Sequence, residues 1–208
     1  MYAGKPIIGI VGGIGSGKSH VAAILGEMGC LVIDSDDQVS LAYQRQDVRR
    51  KLASWWGNDV FNPDGSVSRP AVARRVFSKE QERRRLEQFL HPLVGRMRDE
   101  AMAAAAGNSA VRGYIWDAPL LVEAGLAGRC DAVIFVDAPL EERERRVKRQ
   151  RGWDAAELRK REKSQLALDK KREIAKYIVC NTAGAGDIRS QVREVLSRIL
   201  AGFSEGKC

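Results

Sequence analysis

The chain has 208 residues, of which 44% are hydrophobic and 30% are charged, and its formal net charge is +8. These values are typical of a globular chain that can bury a core, so the composition excludes a disordered protein. No apolar run approaches the roughly 20 residues needed to span a bilayer, and we expect no signal peptide before the first strand.

The first predicted elements are an apolar strand at residues 7–11, a glycine-rich loop and a helix at residues 20–28. The loop, residues 12–19, reads Gly-Gly-Ile-Gly-Ser-Gly-Lys-Ser and satisfies the G-x-x-x-x-G-K-[ST] pattern of a phosphate-binding loop. Glycines let backbone N–H groups surround phosphate oxygens, and the helix N-terminus adds partial positive charge. The lysine suits the β- and γ-phosphates, and the final serine hydroxyl suits Mg²⁺. A chance glycine-rich turn is the alternative, but the flanking strand and helix favour a site for a nucleoside triphosphate, formed by Gly13, Ile14, Gly15, Ser16, Gly17, Lys18, Ser19 and His20.

A second short strand is predicted at residues 30–33, and a cluster of acidic residues follows it. Asp34, Asp36 and Asp37 come where this strand ends, and ligands bind at the carboxyl edge of an open α/β sheet. If the strand continued, Asp34 and Asp36 would point to the same face, since side chains alternate. The alternatives are solvated loop acids or a cap for the next helix.

The next part of the chain, up to residue 106, is predicted to be helical. Helical patterns cover residues 38–56, 70–77 and 79–90, and turn formers fill residues 57–65. His91 and Pro92 then predict a break, because proline removes a helical hydrogen bond, before a further helix reaches residue 106.

The second half of the chain returns to alternating strands and helices. Apolar strands are predicted at residues 114–117, 132–136 and 177–180, with charged helical sequence at 141–176 and a closing helix at 187–201. Continuous apolar runs suit parallel strands covered on both faces. Asp117 ends the first of these strands, where it is either a Mg²⁺ ligand or a cap for the next element. The pattern predicts the three-layer α/β/α fold of P-loop NTPases, with a parallel sheet and a helical insertion.

Four segments together resemble the dephospho-coenzyme A kinase family. They are the strand and loop at residues 8–19, the D-x-D of residues 34–36, the L-H-P of residues 90–92 and the D-x-P-L-L-x-E of residues 117–123. The resemblance extends to Arg69 with the Val-Phe pair at residues 76–77, and to Asn181 with Gly184. It spans essentially the whole chain.

The resemblance implies one P-loop kinase domain over residues 1–208, which transfers a phosphoryl group from ATP to the ribose 3′-hydroxyl of dephospho-coenzyme A. Its expected parts are a nucleotide-binding core (residues 5–39, 108–140 and 177–202), a substrate-binding insertion (40–107) and a lid (141–176). Asp36 matches the proposed base, and Lys18 is expected to act with it in catalysis. The other expected residues are Asp34, Arg69, His91, Asp117 and Glu123 for the substrate, and Ser19 with Asp117 for Mg²⁺.

The charged stretch after Pro139 resembles the lid of this kinase class, which closes over ATP and supplies arginines. The available cations are Arg143, Arg146, Arg149 and Arg151. Of these, Arg146, Arg149 and Arg151 are the candidates for binding the nucleotide, together with Asn181 near the adenine. Gln150 stands where the family has a lid arginine, so the choice among the three stays open. His20, Ser68 and Cys180 also depart from the family pattern.

Other functions and partners remain open from the residues alone. Another small-molecule kinase would share the loop and the lid, and a nucleotide-dependent regulatory module would share the loop, although no N-K-x-D guanine motif is present. The net positive charge of the chain suits small polyanions. Its basic residues are mixed with acidic residues at helical spacing, so we expect no nucleic-acid or membrane partner. Scattered cysteines indicate a reducing cytoplasm. We expect a monomer or a weak homo-oligomer.

Overall fold

The computed structural model describes residues 1–182 and 187–204. Gly184, named in the sequence analysis, lies outside these residues. The described chain divides into two compact units, the first formed by residues 1–34 and 104–208 and the second by residues 35–103.

The first unit is built on a five-stranded parallel sheet with the order β2-β3-β1-β4-β5. Its strands are β1 (Ile7–Gly12), β2 (Cys30–Asp34), β3 (Gly113–Asp117), β4 (Ala132–Asp137) and β5 (Tyr177–Cys180). Every residue of β1 and of β3 is buried, as the continuous apolar runs predicted. This confirms the predicted α/β fold class.

Helices of the first unit cover the sheet and form the region after β4. Helix α1 (Lys18–Glu27) places Val21, Ala22, Ile24 and Leu25 in the core, and these four share one helical face. The predicted helical stretch at 141–176 consists of α6 (Leu140–Arg151), α7 (Ala155–Glu162) and α8 (Leu168–Ile174), and α9 (Ile188–Ser204) closes the chain. Within the two described ranges, no helix is long and apolar enough to cross a membrane.

The second unit is helical and has a core of its own. It contains α2 (Ser35–Gln44), α3 (Gln46–Trp56), a 3₁₀ turn at Gly57–Val60, α4 (Arg69–Ser78) and most of α5 (Glu80–Ala104). Leu52, Val72, Leu86 and Leu90 are among the residues buried together there. The predicted helix at residues 38–56 therefore begins at Ser35 and is interrupted at Arg45.

The predicted helix break at His91 and Pro92 is wrong. Helix α5 runs without interruption past Pro92. Proline inside a helix costs about 3 kcal/mol, but Leu90 and Leu93 on either side are both buried in the core of the second unit. Burying two such side chains recovers roughly that amount, so tertiary packing overrides the local signal.

Candidate active site

The phosphate-binding loop lies between β1 and α1, at the carboxyl edge of the sheet. Gly15 and Gly17 adopt left-handed backbone angles, with φ of 77° and 95°. A Cβ atom on Gly17 would lie 2.1 Å from Asn181 Nδ2, so this position has no room for a side chain. Because Gly17 is also the N-cap of α1, no cap side chain blocks the first amides of that helix.

Lys18 is folded back on its own loop. Its Nζ donates to Gly12 O at 3.2 Å and to Gly13 O at 2.9 Å. Burial lowers the pKa of Lys18 to about 8; Asp117 opposes the shift, and positive residues of the lid region add to it (Lys171, Arg151 and Arg143). This excess of positive charge around a half-buried amine favours an anionic ligand.

Two oxygen groups meet beside the lysine. Ser19 Oγ donates to Asp117 Oδ2 at 2.9 Å, and Asp117 is only 4% exposed. Asp34 is the register partner of Asp117 on the neighbouring parallel strand. The two residues therefore end adjacent strands, and adjacent strands are spaced about 4.8 Å apart. In the part of the chain that the structure describes, no group of three or more His, Cys, Asp or Glu residues could hold a metal. Mg²⁺ does not need one, since it keeps several waters and binds phosphate oxygens.

The buried polar groups of the loop also favour a bound phosphate. Ser16 Oγ is buried and has no hydrogen-bond partner among the described residues. An unpaired buried hydroxyl is costly unless a ligand pairs with it. Together with the open N-terminus of α1, it indicates that this loop is shaped for an oxygen-rich anion.

Arg146 and Asn181 contact the back of the loop. Arg146 donates to Ser16 O at 3.1 Å and to Asn181 O at 2.9 Å, and Asn181 Nδ2 donates to Ser16 O at 2.7 Å. These bonds fix loop carbonyls from two elements distant in sequence, α6 and the end of β5. Both residues thus lie at the predicted nucleotide site, and their polar groups are occupied by the loop backbone.

The remaining lid candidates differ in their surroundings. Arg149 and His20 are exposed. Arg151 stacks on Trp153, with its guanidinium carbon 4.9 Å from the ring centroid, and Arg161 lies at 4.0 Å from the same ring. Arg151 is one of the positive residues that lower the pKa of Lys18.

Glu123 is tied to the lid region within the first unit. Its Oε1 lies 2.9 Å from Nζ of Lys171, which is 2% exposed, and it accepts the Leu166 amide at 2.8 Å. Desolvation raises the pKa of Glu123, but the hydrogen bonds from Lys171 and from the backbone outweigh it, and the net shift is downward. The carboxylate therefore stays ionised and holds the segment before α8.

The acidic residue Asp36 lies in the second unit, in the first turn of α2. The strand alternation considered for Asp34 and Asp36 does not apply, because β2 ends at Asp34 and the helix begins at once. Acids in a first helical turn interact favourably with the helix dipole. Arg69 Nη2 donates to Asp36 O at 2.9 Å and to Ser40 Oγ at 2.5 Å, so Arg69 braces the turn that carries Asp36. His91 is exposed on α5.

Two further residues of the lid region touch the loop: Arg143, which the sequence offered only as one of the lid cations, and Glu162, which sequence reasoning did not place at the site. Arg143, which is 5% exposed, has Nη1 3.5 Å from Ile14 O, and Glu162 accepts the Ile14 amide at 3.2 Å. Both lie in helices where acids and bases alternate, and the sequence offers no signal that separates them from solvated charges.

A parallel sheet with this loop at its carboxyl edge, a loop lysine and a serine–aspartate pair define a P-loop nucleotide-binding protein. The model of the dephospho-CoA kinase family matches residues 6–187. The chain belongs to this family: it is a kinase that phosphorylates dephospho-CoA in coenzyme A biosynthesis. This confirms the expectation from the four sequence segments.

Curated relatives match along most of their length. The dephospho-CoA kinase of Corynebacterium efficiens is 34% identical, over 93% of this chain and 96% of that protein. That of Thermobifida fusca is 35% identical, over 90% of this chain and 93% of that protein.

Solved structures share the fold. A Thermus thermophilus protein has a TM-score of 0.79 at 34% identity, covering 95% of this chain and 97% of its own. Dephospho-CoA kinase from Campylobacter jejuni has a TM-score of 0.69 at 19% identity, covering 97% and 99%, and therefore shows the fold alone.

Proposed function

We propose that the first unit binds the triphosphate of ATP on residues 12–19 and that Asp36 accepts the proton of the ribose 3′-hydroxyl of dephospho-CoA. The hydroxyl oxygen attacks the γ-phosphorus, the bond to the bridging oxygen breaks, and ADP and coenzyme A result. The observation that carries the donor half is Lys18, a half-buried cation with a lowered pKa that is folded onto a glycine loop. The negative charge of a bound triphosphate would pair with the positive charge of this amine.

Ser19 and Asp117 suit Mg²⁺, and we include it in the proposal. Their two oxygens, 2.9 Å apart, are hard ligands at the start of α1 and the end of β3. When bound there, Mg²⁺ would neutralise charge on the transferred phosphate. Asp34, the register neighbour of Asp117, is proposed to order the substrate beside it.

On the acceptor side, the proposal assigns Asp36 as the base and Arg69 and His91 as substrate-binding residues. Support for Asp36 is its place in the D-x-D motif and the bracing of its turn by Arg69. Glu123 is proposed to act on the substrate through the lid segment that it holds at Leu166.

Among the lid arginines, the proposal assigns Arg151 to the phosphates. Arg151 is among the positive residues that lower the pKa of Lys18. Arg146 and Asn181 support the loop from behind, and Arg149 would reach the nucleotide only when the lid closes.

We further propose that the chain acts in the cytoplasm on small molecules, as a monomer or a weak homo-oligomer, without nucleic acid or membrane. Pairs such as Arg84 with Glu80 and Arg145 with Glu142 support this, since they offset part of the positive charge on exposed helices.

A direct assay tests the reaction. Purified protein with ATP, Mg²⁺ and dephospho-CoA is expected to form coenzyme A, detected by mass, and chelation of Mg²⁺ is expected to stop turnover. Coenzyme A itself is the matched control acceptor, since its 3′-hydroxyl already carries phosphate. Adenosine and AMP test the alternative nucleoside or nucleotide kinase. Phosphorylation of either of these in place of dephospho-CoA would overturn the proposal, as would turnover without metal.

The lowered pKa of Lys18 predicts how kcat/KM for ATP depends on pH. Its protonated form binds phosphate, so we expect kcat/KM for ATP to fall as the pH rises through about 8, the pKa of the free enzyme. Bound phosphates raise that pKa, so kcat should fall only at higher pH. Initial rates measured between pH 6.5 and 10 check this. The residual activity of Lys18→Arg should lack the limb near pH 8, because guanidinium stays protonated. A flat wild-type kcat/KM up to pH 9.5 would contradict the assignment.

A further inference from the structure

Glu162, the last residue of α7, places its carboxylate on the phosphate-binding loop. Its Oε1 accepts the backbone N–H of Ile14 at 3.2 Å and also accepts Nη1 of Arg143. The side chain is 21% exposed, so the contact is largely withdrawn from solvent. The carboxylate of Glu162 therefore occupies a backbone N–H of the loop, and we assign this loop to the donor phosphates.

Arg143 is the cation that Glu162 neutralises. Its Nε donates to Ala138 O at 3.2 Å, and its Nη1 would lie 2.7 Å from a Cβ on Gly13, so the guanidinium rests directly on the loop. A buried guanidinium without a counter-charge is costly, and the Glu162 carboxylate removes that cost. A backbone N–H and an arginine are also the two groups that bind phosphate oxygens most readily.

We propose that Glu162 is an internal anion that competes with the phosphates of the donor nucleotide for Ile14 N–H and Arg143, and so sets donor affinity. The inference rests on the proposed role of residues 12–19 as the donor site. A phosphate oxygen that takes the Ile14 amide must displace the carboxylate, since two anions cannot share one N–H. Nucleotide binding is then an exchange of anions, and the displaced Glu162 leaves Arg143 to the phosphates.

The exchange couples the donor site to the lid region. Glu162 ends α7, so its release removes a contact that joins this helix to the loop. Binding of the nucleotide must break that contact, so the free energy of binding is less favourable by the free energy of the contact.

Glu162→Gln tests the proposal, because it keeps the shape of the side chain and removes its charge. The dissociation constants of ATP and ADP, measured by titration calorimetry, are expected to fall about tenfold. Binding of adenosine, which has no phosphate, is expected to stay unchanged. Glu157→Gln is the matched control: Glu157 lies on the same helix and pairs with Arg161, and its variant should bind all three ligands as the wild type does.

Thermal unfolding separates competition from a purely structural role. Without nucleotide, Glu162→Gln should lose stability, since Arg143 loses its counter-charge, and ATP should raise its Tm more than it raises that of the wild type. Glu162→Asp keeps the charge on a shorter stem and is the second variant, also expected to bind ATP more tightly. Unchanged or weaker ATP binding in both variants would overturn the proposal. A wild-type protein that binds no ATP would instead overturn the donor site itself.

Discussion

Lys18→Ala is expected to lower the rate of coenzyme A formation by about a thousandfold or more. The amine is held against the loop by hydrogen bonds to the carbonyls of Gly12 and Gly13, and we propose that it pairs with a phosphate bound on the loop amides. Alanine leaves that part of the loop without its charge, so the negative charge that develops during transfer is no longer neutralised. Initial rates at saturating ATP measure the loss.

The fold of the Lys18→Ala variant should survive. The pKa of Lys18 lies below its usual value because burial disfavours the charged amine, so removing it does not remove a stabilising charge. We expect no fall in Tm without nucleotide. Lys148→Ala, at an exposed position of α6, is the matched control and should keep wild-type rates. Activity of Lys18→Ala within a few-fold of the wild type would contradict a phosphate-loop mechanism.

Asp36→Asn is expected to lower kcat by about 10²–10⁴-fold, the range for loss of a general base. Asparagine is nearly isosteric and accepts hydrogen bonds, but its amide does not accept the proton of the attacking hydroxyl. Because the proposal assigns Asp36 to the acceptor hydroxyl and residues 12–19 to the triphosphate, the dissociation constant of ATP should change little. Rapid-quench measurement of the chemical step, with ATP binding measured separately, checks both parts.

Asp37→Asn is the control for this position. Asp37 is the next residue of the same helical turn, so its variant removes an equal charge at nearly the same place. We expect it to keep most of its activity. If Asp36→Asn stays within a few-fold of the wild-type kcat, or if both variants lose activity equally, Asp36 is not the base.

Local spacing along the chain was sufficient to predict the parallel sheet and its loop. The strands at β1, β3 and β4 are short apolar runs buried in the sheet, and such runs follow directly from the sequence. The local sequence predicted the secondary structure less well at Pro92 and at Asp36. At Pro92 the core of the second unit overrides a local helix breaker, and at Asp36 a helix begins directly after the strand. Neither outcome depends on the residues next to it alone.

The sequence by itself determined the glycine-rich loop at residues 12–19, because the positions of its glycines, lysine and serine between a strand and a helix are local constraints. It also determined the family, through four ordered segments. Only the tertiary structure decided which charged side chains of residues 141–176 meet that loop. Arg143, Arg146 and Glu162 reach it from positions more than 120 residues away, among many similar charges. Long-range packing selects these three, and no periodicity in the chain distinguishes them from the solvated residues beside them.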